Sequence, residues 1–208
     1  MANYVSEAVI RRLPGYYRHL RELEAEGVTQ ISSKDLGERM RQTPSQIRQD
    51  INCFGGFGRQ GHGYSVSELK QEIGRVLGLD REHTMIIVGA GSIGSAVAHY
   101  PTFIREGFRT LALFDTDPAR IGASVNGVRV HSMEELPLFL EEHAVDIAVL
   151  AVPGDAAREV FDELARCGVT AVWNFAPVDL HAEERGITVV NVHLADSLQT
   201  LSYKIAHR

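Results

Sequence analysis

The residues with the most specific chemistry are Gly89, Ala90, Gly91, Ser92, Ile93 and Gly94, which follow the apolar run TMIIV. They read G-x-G-x-x-G between an expected strand and an expected helix, the arrangement that cradles a pyrophosphate. The first glycine makes the tight turn, the second lets backbone approach the phosphates, and the third lets helix and strand pack closely. The helix behind them turns unpaired N–H groups and a partial positive charge toward the anion. Asp115 ends the next apolar run, 21 residues after Gly94, with Thr116 beside it. A carboxylate there accepts hydrogen bonds from an adenosine ribose and repels a 2′-phosphate, which favours NAD(H) over NADP(H). No arginine follows at once (the run is Asp115-Thr116-Asp117-Pro118), which agrees with that preference. The same residues also fit the adenosine part of ATP or coenzyme A, and a Rossmann-like unit with an altered pocket would carry the same loop.

A second group of residues suits double-stranded DNA. In TPSQIRQDIN, residues 43–52, Thr43 is an N-cap, Pro44 the first helical residue and Gln46 the far end of a capping box. Helical spacing puts Ile47, Ile51 and Phe54 on one side and Ser45, Arg48, Gln49 and Asn52 on the other. A capped helix with such a face enters the major groove in helix-turn-helix modules. Arg48 reaches guanine edges or phosphate, Gln49 and Asn52 pair with adenine, and Ser45 and Gln46 join them on the first turn. The following FGGFGRQGHGYSV holds five glycines in 13 residues and suggests a two-stranded wing. Arg59, Gln60 and His62 at its tip would touch backbone or minor groove. The plain alternative is a solvated helix face followed by an ordinary loop.

The elements that position these groups follow from periodicity. Val9, Leu13, Tyr16, Tyr17, Leu20 and Leu23 recur at spacings of three and four, so a helix runs from a cap at Ser6 to Gly27. Pro14 must kink or restart it. Ser33 is expected to cap a short helix over about 34–40 with Leu36 and Met40 inward, and Ser65 with Glu68 to open another running to about Leu77. From His83 the pattern changes to apolar runs at 84–88, 109–114, 146–152, 169–175 and 187–192, with helices at about 92–105, 132–142 and 155–167. Such alternation predicts a parallel, doubly wound sheet. LADSLQTLSYKIAHR closes the chain as an amphipathic helix with Leu194, Leu198, Leu201 and Ile205 on one face.

Composition narrows the classes. The 208 residues are 44% hydrophobic and 23% charged, ordinary for folded protein, and no apolar run is long enough to span a bilayer. No secretory signal is legible at the start, and the two cysteines, Cys53 and Cys167, are too few for a disulfide framework or a zinc site. The expected compartment is the cytoplasm. Net charge is −6, but unevenly placed: residues 1–78 carry 11 Lys/Arg against 9 Asp/Glu, and residues 79–208 carry 10 against 18. A neutral-to-basic head on an acidic body is compatible with a local nucleic-acid surface. A dehydrogenase would need a proton donor and a substrate domain over the nicotinamide. His99, His131, His143 and His193 sit in no acid–base constellation, so no catalytic residue and no metal site is expected.

Taken in order, SSKDLGERM, PSQIRQDINCFGGFGRQGHGYSV, IIVGAGSIGSAVAHYPTF, FDTDPARIG, AVPGDAAREV, NFAPVDL and NVHLADSLQTLSYKI resemble the Rex family of redox-sensing transcriptional repressors along essentially the whole chain. The resemblance implies an α/β protein: an N-terminal winged helix-turn-helix domain over 1–80 (helix-turn-helix about 17–55, wing about 55–65), a Rossmann-fold NAD(H)-binding domain over 81–192, and a domain-swapped dimerisation helix over 193–208. It implies a homodimer that binds near-palindromic operator DNA and is released by NADH, and so follows the NADH/NAD⁺ ratio. It adds Val152, Pro153, Asn174, Phe175, Ala176 and Pro177 beside the cofactor. It also assigns a coupling trio, with Arg18 and Tyr100 in two of its places. Three departures stand out. Gln49 replaces a usual lysine, Ser92-Ile93 replaces a common Asn-Leu, and His193 replaces the aspartate of the trio. A neutral His193 accepts a hydrogen bond from Tyr100 or Arg18 but supplies no fixed negative charge, and histidine titrates near neutral pH.

Overall fold

The computed structural model describes residues 5–55, 63–180, 182 and 186–207. They form two compact units, residues 1–81 and 82–208.

In the first unit α1 (Glu7–Ile10) and α2 (Leu13–Ala25) replace the single helix expected there. Pro14 sits in the first turn of α2, where its missing N–H costs nothing, so the chain restarts rather than kinks. Strand β1 (Gln30–Ile31), α3 (Ser33–Met40), α4 (Pro44–Asn52), β2 (Tyr64–Ser65) and α5 (Val66–Val76) follow. The cap of α3 is Ser32 rather than Ser33: its Oγ accepts from the Asp35 N–H. The glycine-rich segment was expected to pair with itself. Its described end pairs with a strand from before α3, as β1 and β2 run antiparallel with Ile31 opposite Tyr64. Residues 56–62, and with them Arg59, Gln60 and His62, lie outside the described residues. The core gathers Leu13, Tyr16, Leu20 and Leu23 of α2 with Leu36, Ile47, Ile51, Leu69 and Ile73.

The second unit is a seven-stranded sheet. Its strands are β3 (His83–Val88), β4 (Phe108–Asp115), β5 (Ser124–Val125), β6 (Val128–Ser132), β7 (Ile147–Leu150), β8 (Ala171–Asn174) and β9 (Thr188–Asn191), and the order is β5-β6-β4-β3-β7-β8-β9. All pairs are parallel except β5–β6. From β6 to β9 this is the 3-2-1-4-5-6 order of a dinucleotide-binding fold. Strands β3, β4, β7 and β8 each serve two cores, because successive side chains face opposite sides. Ile86 and Val88 pack with Leu136, Phe161 and Leu164, while Met85 and Ile87 pack with Val97 and Ala98. The helices are α6 (Ser92–Ala98), α7 (Pro101–Arg105), α8 (Leu136–Glu142), α9 (Gly154–Arg166) and α10 (Leu194–Ala206). The helix expected over 92–105 is broken at His99–Tyr100, because Pro101 opens a new first turn. The hairpin of β5 and β6 was not anticipated. Its two short strands alternate too briefly to show a period, although Asn126-Gly127 is a common hairpin dipeptide. Helix α10 starts at Leu194 as the amphipathic run predicts, ends at Ala206 and buries none of its residues.

Candidate nucleotide site and nucleic-acid interface

Strand β3 delivers the glycine loop to the switch point of the sheet, where connections leave in opposite directions toward β4 and β7. Gly89 takes φ +99°, a conformation side chains rarely adopt. A Cβ on Gly94 would stand 1.9 Å from the Gly89 carbonyl oxygen, so only glycine lets α6 pack against the loop. Gly91 caps α6, and a Cβ there would meet nothing nearer than Arg120 Nη1 at 3.6 Å. Its outer side is therefore open to a ligand.

The loop borders a cleft of about 600 Å³. Gly89, Gly91, Ser92, Ile93, Asp115, Thr116, Val152, Pro153, Phe175 and Pro177 line it, so ten of the residues singled out in the sequence meet there. Four others do not line it. Ala90 and Gly94 are buried behind the loop. Asn174 and Ala176 are also buried, and they build the turn after β8. Asn174 Nδ2 donates to the Val178 carbonyl and to Asn191 Oδ1, both at 2.7 Å, and its Oδ1 accepts from the Ala176 N–H. That network holds Phe175 and Pro177 against the cleft.

Asp115 is the last residue of β4 and is 7% exposed. Its Oδ2 accepts from the Ala90 N–H at 2.8 Å and from Arg120 Nη1 at 3.0 Å, and its Oδ1 accepts from the Asp117 N–H at 2.8 Å. Burial pushes the carboxyl up. The backbone bonds from Asp117 and Ala90 and the Arg120 guanidinium outweigh that, holding it below the usual carboxylate range. It is therefore an anion ready to accept ribose hydroxyls. No arginine follows at once, as the sequence showed, but one comes close in space. Arg120 lies five residues on, beyond the immediate neighbours, and the turn at 117–121 folds it back onto Asp115.

In the head, α4 is set by a buried carboxylate. Asp50 is 1% exposed and receives Arg12 Nε and Nη2 at 2.7 and 2.8 Å and Gln46 Nε2 at 2.7 Å, with the Tyr16 hydroxyl 2.9 Å away. Burial alone would raise its pKa, but these donors win and lower it. Arg12 is raised in turn, chiefly by the same hydrogen bond. Gln46 thus forms only half of the predicted capping box: its N–H bonds Thr43 Oγ1, while its side chain turns to Asp50. Pinned this way, α4 points Ser45, Arg48, Gln49 and Asn52 to solvent, with Gln46 half-buried. Arg48 Nη1 donates to Ser33 Oγ at 3.0 Å, which steadies the guanidinium on the exposed face. Cys53 donates its thiol to the Gln49 carbonyl and packs on the head core, a structural placement.

Two models of known families match. "CoA binding domain" covers residues 80–178, and "Putative DNA-binding protein N-terminus" covers residues 4–52. A redox-sensing transcriptional repressor Rex from Clostridium beijerinckii is 51% identical over 199 residues, spanning 96% of this chain and 94% of that protein. The chain belongs to the Rex family. The Rex of Caldanaerobacter subterraneus is 46% identical over 97% of this chain and 89% of its own. Among solved structures, the Rex-family repressor RSP with β-NAD⁺ and operator DNA superposes with a TM-score of 0.92 at 45% identity, covering 98% of this chain and 94% of that one. RSP with β-NADH superposes at 0.90 and 43% identity, with 98% and 95% covered.

For this Rex-family chain the structure also shows what sequence reasoning passed over. Asp50 lay between two residues read as DNA contacts, and Asp179 lay within a quoted motif without a role. His193 Nε2 lies 2.9 Å from Asp179 Oδ1. Tyr100 is half exposed and begins a row of rings: Tyr100–Phe103 at 4.7 Å, Phe103–Trp173 at 5.5 Å and Trp173–Phe175 at 4.5 Å. The row ends at Phe175 in the cleft wall. No group of three or more His, Cys, Asp or Glu fit for a metal occurs among the described residues.

Proposed function

We propose that the protein binds operator DNA as a homodimer in the cytoplasm and leaves it when NADH fills the cleft, the nucleotide acting as effector rather than as a substrate. The observation that carries this reading is the pairing, in one chain, of a dinucleotide cleft at the sheet's switch point with a pinned helix that shows Ser45, Arg48, Gln49 and Asn52 to solvent. Likeness to RSP, described with β-NAD⁺, β-NADH and operator DNA, supports it over the whole chain and favours NAD(H) over coenzyme A. Helix α10 exposes Leu194, Leu198, Leu201 and Ile205, an apolar face suited to a second copy. Two heads related by a dimer axis read two half-sites, hence a near-palindromic operator.

The effector's two forms differ by a hydride and by one positive charge on the nicotinamide. Only a difference in their fit to two dimer arrangements can shift the protein, and moving it from 1:99 to 99:1 takes about 5.5 kcal/mol. Arg18, Tyr100 and His193 are the proposed coupling residues, and Asp179 restores beside His193 the carboxylate the family carries there.

Gel shift across NADH/NAD⁺ ratios tests the whole reading: operator binding falls as NADH rises. Arg48→Ala is expected to cost about 1–3 kcal/mol of specific binding, as loss of a bidentate base contact does. Wild-type operator affinity in that variant would show that α4 is misassigned. Asp115→Ala is expected to weaken NADH by about 1–3 kcal/mol in a fluorescence titration, since a charged hydrogen-bond acceptor is lost. An unchanged titration would remove Asp115 from the ribose subsite.

A further inference from the structure

Among the described residues Arg120 is the one cation lining the cleft, and it lies against the carboxylate that decides which nucleotide enters. We infer that Arg120 is a specificity-determining residue of the adenosine subsite: by partly neutralising Asp115 it narrows the preference for NADH over NADPH. The inference rests on the nucleotide reading of the cleft and adds to it a residue and a chemical class of ligand, the 2′-phosphorylated dinucleotides.

Asp115 rejects a 2′-phosphate by charge, since a phosphate monoester carries about −1.5 to −2 at neutral pH. Geometry shows that this carboxylate does not act alone. Arg120 Nη1 is 3.0 Å from Asp115 Oδ2, and Arg120 Nε is 3.5 Å from Asp117 Oδ2. The guanidinium therefore stands between two carboxylates, beside the place where ribose hydroxyls must reach Asp115. Its Nη1 also lies 3.6 Å from where a Gly91 Cβ would be, so it borders the glycine loop as well. A guanidinium has five donors in a planar fork that matches phosphate oxygens, and the Arg120 side chain is 47% exposed and able to turn. An arginine close to this position is the group that accommodates a 2′-phosphate in NADP-binding folds. Asp115 and Arg120 thus act on the same phosphate with opposite signs.

The test reads the ratio of the NADPH and NADH dissociation constants for the full-length wild type, Arg120→Ala and Arg120→Lys, by nucleotide fluorescence at low and high salt. Arg120→Ala is expected to widen the ratio by about tenfold, equal to about 1.4 kcal/mol, through weaker NADPH binding. Arg120→Lys keeps the charge and stays within about threefold of wild type. Salt shrinks the widening, because the subsite opens to solvent and charge there is screened. An unchanged ratio in Arg120→Ala overturns the inference, and so does a loss shared equally by both nucleotides, which would place Arg120 on their common pyrophosphate or adenine. A lysine variant that widens the ratio as much as alanine does removes the charge argument. A wild type that binds neither nucleotide overturns the cleft reading itself, and this inference with it.

Discussion

Asp50→Ala is expected to destabilise the head by about 1.5–3 kcal/mol, the cost of losing charge-assisted hydrogen bonds to a buried carboxylate whose partner Arg12 still reaches solvent. Arg12, the Tyr16 hydroxyl and Gln46 all lose the same acceptor. Tyr16 is fully buried, so its hydroxyl depends on Asp50 and on Gln42 Oε1 at 3.1 Å. Chemical denaturation followed by circular dichroism should show the head melting before the nucleotide-binding unit, with operator binding lost and NADH binding kept. Asp50→Asn separates charge from hydrogen bonding. Asp50 has a folded pKa below its ordinary 3.8, so its contribution is complete above about pH 4 and fades as pH falls through the folded value. Wild type should therefore lose stability on acidification in that window relative to Asp50→Asn. A head that melts identically in wild type and Asp50→Ala would mean that the cluster contributes nothing.

Gly94→Ala is the second large effect. A Cβ placed 1.9 Å from the Gly89 oxygen and 3.1 Å from Ile87 Cγ2 forces the loop or α6 to move by more than an ångström. Overpacking of this kind costs about 1–3 kcal/mol and occasionally more, and backbone contacts leave little room to relax. We expect a loss at the upper end, with NADH weakened by about 100-fold, close to 2.8 kcal/mol. Gly91→Ala is the control. Gly91 has φ −73°, and a Cβ there would make only ordinary contact with Arg120 Nη1 at 3.6 Å, so that variant should keep wild-type stability and lose only nucleotide affinity. Thermal melts and NADH titration of the pair decide the matter. Equal stability and equal affinity in Gly94→Ala and wild type would mean that the loop does not have this geometry.

Local order was legible wherever one residue type has one use. The glycine loop, Pro44 behind Thr43, and the apolar runs of β3, β4, β7, β8 and β9 follow from backbone sterics, capping and the continuous apolar character of strands covered on both faces. These are near-neighbour effects, and a linear reading contains them. Element ends slipped where two neighbours compete for one role, as Ser32 and Ser33 do, or where proline splits a continuous apolar stripe at Pro14 and Pro101.

Which side chains meet across the fold was not legible. Arg12 and Asp50 are 38 residues apart, Asn174 and Asn191 17, and Asp179 and His193 14. Asp50 and Asn174 are placed by burial, since a desolvated carboxylate or amide must find its donors wherever the fold supplies them. The sequence by itself determined a glycine-loop nucleotide unit joined to a helical head, along with ten of the residues that border the cleft and the outward face of α4. Only the tertiary structure decided that Arg120 attends Asp115, that Asn174 supports the cleft instead of lining it, and that Asp50 anchors α4. A side chain's charge and hydrogen-bonding capacity follow from its type, but its partner depends on the path the backbone takes, through a short turn for Arg120 and across packed helices for Asp50.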